Sequence, residues 1–364
     1  MAAGSHRHFW LDACRALAIS VVLLSHSRHF LTPAFESASA LRAGGFLGVE
    51  LFFVLSGFLI GRIVWEHFER AGGGGGWLRS FWARRWLRTL PNYYLFLAVN
   101  AVLVACAIVP GRVADLLPFV VFMQNFAWQH PPLFGEAWSL AVEEVFYLTF
   151  PLCLLSAARL VASRRAALLV VVAVFLAFTL AAKAYAVFVL DPPWDEGIRK
   201  IVIFRLDALM LGVLGACVID RRTPSRMATA TMTAGAIVVL GGVMAAYFAL
   251  TPVLDEHDGA RILLLPATSL GGLLFVVCGL SWSQPPPILG VAAERCARWS
   301  YALYLVHMPV FHLLMKGLGP TPAGDVVGAL LRWTLFMATA VLLAALVERF
   351  FERPILRWRD RAFP

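Results

Sequence analysis

Ten apolar stretches, each close to the ~20 residues that cross ~30 Å of hydrocarbon, occupy most of the 364-residue chain. They fall at about 10–30, 44–65, 91–109, 138–160, 167–190, 198–219, 228–250, 261–281, 299–318 and 327–351. Backbone N–H and C=O groups in lipid must be satisfied within each segment, so the expected fold is all-α, a polytopic bundle of about ten transmembrane helices. Apolar residues make up 60% of the chain and charged residues 15%, with a mean hydropathy of +0.76. Those values exclude an ordinary soluble domain. A further apolar piece at 116–128 is too short to cross and reads as re-entrant or interfacial. The first stretch lacks a small-residue cleavage site and runs into the polytopic pattern, so it is not read as a removable signal peptide. The tail after Phe351 is too short for its own core, and residues 1–364 read as a single transmembrane domain.

The net charge of +9 is distributed by loop, which points to topology rather than nucleic-acid binding. One alternating set of loops holds Arg7, Arg62, Arg70, Arg79, Arg84, Arg85, Arg88, Arg159, Arg164, Arg165, Arg221, Arg222, Arg226, Arg295 and Arg298, and it ends with the basic tail from Arg349 to Arg361. The other set holds most loop acids, among them Asp191, Asp195, Glu196, Asp255, Glu256 and Asp258. The positive-inside rule then puts both termini in the cytoplasm, as ten crossings require. The six cysteines lie in or beside apolar segments without a Cys-x-x-Cys pair, so they read as packing residues and no metal site is expected. The run Gly72–Gly76 lacks the Gly-Lys-Ser/Thr ending of a phosphate loop and reads as a hinge.

Ionisable residues inside apolar segments are costly and mark candidate sites. In the first stretch Arg15 and His26 are eleven residues apart, which returns the chain to nearly the same helical face about 16 Å further on. That places a cation near one surface and an imidazole close to mid-depth. Arg84, Arg85 and Arg88 precede Pro91, a residue suited to starting a helix, and three guanidinium groups within five positions can grip phosphates. Glu143 and Glu144 sit about 100° apart on the fourth helix, so one is expected to be buried and paired, the other nearer the rim. Glu50, Arg205, Asp207 and His307 are the remaining buried candidates, with Arg205 and Asp207 free to neutralise each other or nearby charges.

In order along the chain, these segments resemble the membrane acyltransferase-3 family of bacterial O-acetyltransferases. The resemblance rests on Leu11-Asp12 with Arg15 and His26, Gly48 to Phe58, Arg85 and Arg88 followed by Pro91 and Tyr93, and Trp138-Ser139-Leu140 with Glu143 and Phe146-Tyr147. Phe204-Arg205 with Asp207, Ser300-Tyr301 with Tyr304, Leu305 and His307, and Glu352-Arg353-Pro354 complete it. Position 50 is Glu where the family often has Asp, and the sequence ends without the SGNH-type domain some members carry. Transfer by the membrane domain itself is therefore expected, with any SGNH partner coming from another gene product.

The resemblance implies an acyl-CoA donor, probed first as acetyl-CoA, with no resident cofactor. It also implies a carbohydrate or glycosylated acceptor on the extracytoplasmic side of the cell inner membrane, with lipid as the surrounding partner. On this expectation Arg15, Arg84, Arg85 and Arg88 bind the CoA phosphates. His26 deprotonates the acceptor hydroxyl or takes the acyl group transiently, and Glu143 orients or charge-balances His26. Glu50, Glu144, Arg205, Asp207 and His307 line or support the acceptor side. The rival reading is a secondary transporter, which also buries Arg, Glu and His. The first, second and fourth stretches lack midplane helix breaks, and the arginine cluster has no transport role, so the enzyme reading is preferred.

Overall fold

A computed structural model describes residues 8–219, 225–282 and 287–363. Arg7, Arg221 and Arg222 of the basic loops lie outside these residues. Eleven α-helices follow in order: α1 (Phe9–Leu31), α2 (Arg42–Arg70), α3 (Leu78–Ala105), α4 (Ala137–Leu160), α5 (Arg164–Tyr185), α6 (Leu206–Ile219), α7 (Arg226–Leu250), α8 (Asp258–Cys278), α9 (Pro287–Leu318), α10 (Val326–Val347) and α11 (Arg353–Ala362). The described residues contain no strand. Eight helical segments are long and apolar enough to cross a membrane. α9 is long but diluted by Tyr301, Tyr304, His307 and His312, and α6 is apolar but only 14 residues long. Together these account for the ten stretches read from hydropathy.

α2 occupies the centre and packs against α1, α6 and α8. Its apolar residues run around the whole circumference, and 72% of its most apolar window is buried, against 17% for α7 and α10 at the periphery. Small residues allow α2 and α6 to approach closely. A Cβ added at Gly57 would lie 1.9 Å from the Leu209 carbonyl oxygen, and one at Gly212 would lie 2.2 Å from that of Val54. Backbones meet there, as is common where lipid offers no hydrophobic drive between helices.

Two expected boundaries are corrected. The sixth stretch, 198–219, is not one helix: after a π-turn at Asp195–Arg199 the chain is extended at Ile201, and α6 begins only at Leu206. The break is satisfied from outside. Val202 and Ile203 N–H donate to the carbonyls of Asn125 and Phe126 at 3.0 and 3.2 Å, and the Arg205 guanidinium donates to the Arg199 carbonyl at 2.9 Å. Non-helical backbone survives at depth only when buried in protein this way.

The third stretch also starts earlier than expected. α3 runs through Arg84, Arg85 and Arg88 and carries Pro91 inside it rather than beginning there. Tyr301 of α9 donates to the Thr89 carbonyl at 2.8 Å, bracing the turn just before that proline. The apolar piece at 116–128 forms a 3-10 turn (Val113–Val121) and irregular chain that returns to α4. Tyr93 and Tyr94 anchor it by donating to the carbonyls of Phe119 and Val120.

Candidate active site

Two cavities meet inside the bundle, and they differ in chemistry. The first, about 250 Å³, is walled by apolar α2 side chains such as Phe52, Leu55 and Leu59 and carries three guanidinium groups, Arg15, Arg85 and Arg88. The second, about 440 Å³, contains His26 and His307 together with Glu136, Arg28, Arg42 and Arg199. Val49 and Tyr304 line both, so these two residues form a partition that the cavities share.

The arginine cavity is pre-built. Arg85 lies 4.3 Å from the Tyr147 ring centroid and donates to the Tyr147 hydroxyl. That hydroxyl donates in turn to Glu143 Oε2 at 2.7 Å and accepts from Ser56 Oγ at 2.7 Å. Cation–π and charge-assisted contacts thus hold one guanidinium in place before any ligand arrives. Arg15 sits 3.1 Å from Asp12, one turn earlier on α1. Arg84 does not join this group: it donates to the Phe363 carbonyl and lies 3.5 Å from Asp360, clasping α11 to α3. Glu352, at the foot of α10, accepts from Asn92 Nδ2 at 2.8 Å and locks the same corner.

The expected partnership of Glu143 with His26 is not formed. Glu143 opens into the arginine cavity, where Tyr147 one turn along α4 claims its carboxylate, while His26 lies beyond the partition. Glu144 is held as well, accepting from Thr89 Oγ1 at 2.8 Å, so both adjacent carboxylates are hydrogen-bonded and both are partly buried. The neighbour of His26 is instead His307, with ring centroids 4.9 Å apart. His307 is fully buried. Its Nδ1 lies 3.2 Å from the Leu303 carbonyl, which can only accept, so the proton sits on Nδ1. Nε2 is left as a buried acceptor with no partner among the described residues. His26 is also nearer one end of its helix than mid-depth, five residues or roughly 8 Å before Leu31.

Glu50, Arg205 and Asp207 line neither cavity, and Arg205 and Asp207 do not neutralise each other. Arg205 pairs with Glu50, which also accepts from Ser269 Oγ at 2.8 Å, and Asp207 pairs with Lys183 of α5. All four charged side chains are essentially inaccessible. They tie α2, α5, α6 and α8 together at the broken sixth segment and so support the site from behind.

Glu136 is a site residue that the sequence reading passed over. It lines the histidine cavity with both carboxyl oxygens buried and without a partner among the described residues, and burial pushes its carboxyl up to about 8 from an ordinary 4.5. An acid held neutral by folding costs nothing below pH 4.5 and progressively more as pH rises toward 8. At pH 7 the cost is about 3 kcal/mol. Glu136→Gln is therefore expected to melt at a higher temperature than wild type at pH 8 and at the same temperature near pH 4.5. Equal melting at both pH values would show that the carboxyl is not desolvated.

Comparison with known proteins identifies the family. Residues 8–349 match the acyltransferase-3 family model, described as an acyltransferase domain. The peptidoglycan O-acetyltransferase OatA of Listeria monocytogenes is 28% identical over 95% of this chain and 55% of its own length. The putative peptidoglycan O-acetyltransferase YrhL of Bacillus subtilis is 27% identical over 98% of this chain and 56% of its own length. A putative O-acetyltransferase of Staphylococcus aureus is 32% identical over 40% of this chain and 24% of its own length. The chain thus spans a little over half the length of the first two relatives. No solved structure matches. Eight helices long and apolar enough to cross a bilayer, in a chain that matches an acyltransferase family, make this a multi-pass protein of the cell membrane. With the family model matching nearly the whole chain, the protein belongs to the acyltransferase-3 family.

Proposed function

We propose that the protein moves an acyl group, acetyl in the simplest case, from acyl-CoA in the arginine cavity to a carbohydrate hydroxyl in the histidine cavity. The observation that carries this reading is the meeting of two chemically distinct cavities at Val49 and Tyr304. One offers three guanidinium groups and an apolar wall, which suits phosphates followed by a pantetheine arm. The other offers paired imidazoles, which suits a general base. Relatives named for peptidoglycan O-acetylation make a cell-wall sugar the first acceptor to try.

In the transfer step His26 takes the proton of the acceptor hydroxyl, and the oxygen attacks the thioester carbonyl. The C–S bond breaks, an ester forms, and the imidazolium returns its proton to the departing CoA thiolate. His307, its proton fixed on Nδ1 and its Nε2 unpartnered among the described residues, accepts an N–H of His26 once that ring is protonated, the role first expected of Glu143. Glu143 acts on the donor side, holding Arg85 through Tyr147. The excess of basic residues at one set of helix ends supports an arginine cavity facing the cytosol, where CoA is made, with both termini on that side.

Arg85→Ala and Arg88→Ala are expected to raise the apparent KM for acetyl-CoA about tenfold or more with little change in kcat, each removing a charge-assisted contact of ~1.5–3 kcal/mol. Unchanged KM values would move the donor elsewhere. The reading as a whole is tested by incubating the purified protein with radiolabelled acetyl-CoA and peptidoglycan fragments. Label should pass to the glycan and free CoA should appear. A protein that does neither with any glycan acceptor is not this enzyme.

A further inference from the structure

The histidine cavity holds more positive charge than a neutral sugar calls for. Four cationic side chains line it, Arg28, Arg42, Arg199 and Lys200, against two carboxyl groups, Glu136 and Asp195. Asp195 is already engaged: it pairs with Arg199 and lies 3.1 Å from Lys200. Burial pushes its carboxyl up, but Arg199 and Lys200 prevail and hold it below the usual carboxylate range. Lys200 also meets Glu196. Glu136, with its raised value, is largely neutral at pH 7 and compensates nothing.

Arg28 and Arg42 are left over. Arg28 donates to the Ser25 carbonyl, and Arg42 lies 5.9 Å from the Tyr247 ring centroid with its Nε buried and lacking an acceptor. Neither forms an ion pair among the described residues. Arg28 and Arg42 are half-buried, and a partly desolvated guanidinium without counter-charge is costly, a cost that an arriving anion lowers. With the arginine cavity toward the cytosol, this is also the end of the bundle where basic residues are disfavoured.

We propose that the acceptor carries an acidic group, a carboxylate or a phosphoryl oxygen, which Arg28 and Arg42 clamp while a neighbouring hydroxyl lies at His26. This rests on the reading of the histidine cavity as the acceptor site, and it excludes plain neutral glycans as preferred acceptors. Arg28 and Arg42 come from α1 and the start of α2 and line the same cavity as His26, so the clamp holds the acceptor in the cavity of the base.

Binding can be read without catalysis, because Trp138 and Trp194 line the same cavity and report occupancy by fluorescence. The full chain in nanodiscs is titrated with glucose, glucuronic acid and glucose 1-phosphate. At least one acidic sugar is expected to bind tenfold or more tightly than glucose. That advantage should shrink with added salt, disappear in Arg28→Gln/Arg42→Gln, and survive largely in Arg42→Lys. Preference for glucuronic acid alone identifies a sugar acid as the acceptor, and preference for glucose 1-phosphate identifies a phosphorylated, lipid-linked sugar. Equal affinity for all three, or a salt-insensitive preference retained in the double variant, overturns the proposal. Should the acidic preference hold while no acetyl is transferred to any glycan, the acyl-transfer reading falls and the anion site stands.

Discussion

Glu50→Ala should cost about 3–5 kcal/mol of stability, a loss as large as any expected from a single charged side chain outside the two cavities. The reason is burial without escape. Glu50 and Arg205 are 2% and 0% exposed and pair directly, and Ser269 completes the carboxylate at 2.8 Å. Removing the acid leaves Arg205 inside the bundle with only the Arg199 carbonyl and the Phe53 ring, whose centroid is 5.3 Å away. Arg205→Met in the same background deletes the stranded charge and should recover part of the loss, the rest being the cavity left where the shorter side chain replaces the glutamate. Thermal unfolding in detergent or nanodiscs checks both variants. A Glu50→Ala protein within half a kcal/mol of wild type, or a double variant less stable than the single one, would mean that the pair is not desolvated as described.

This pair also shows how much was legible in the sequence. That Glu50, Arg205 and Asp207 are buried follows from their place in apolar runs, but their partners do not. Arg205 and Asp207, two residues apart, looked able to neutralise each other. The break before Leu206 instead turns one toward α2 and the other toward α5. Lys183 could have been found, because it is the one charged residue inside the stretch 167–190 and needed a counter-ion.

The helix count was readable because hydropathy reports directly on it, whereas the two misplaced starts were not. The beginning of α3 is rich in Arg and Trp and falls below any apolar threshold. The gap before α6 is closed by Asn125 and Phe126, which lie 77 positions before Val202 and Ile203. Tyr147, four residues past Glu143, was a visible helical neighbour that could have warned against joining Glu143 to His26. The approach of His26 to His307, by contrast, depends on how α1 packs against α9 and leaves no local mark.

His26→Ala is the second variant with a large expected effect. A general base contributes about 10²–10⁴-fold, and His26 lies in the cavity that shares Val49 and Tyr304 with the arginine cavity. His26 is only partly buried and packs against His307 rather than filling the core, so its loss should leave the fold intact. His307→Ala should lower kcat less and displace the pH dependence of the reaction, as expected of a residue that orients the base.

The measurement that bears most directly on the account follows both substrates in one purified His26→Ala protein supplied with labelled acetyl-CoA and a glycan acceptor. Donor binding should match wild type, because the arginine cavity is untouched, while acetyl transfer falls at least a hundredfold. Transfer at the wild-type rate from a folded protein lacking this imidazole would contradict the claim that the acyl group crosses between the two cavities to an oxygen activated by His26.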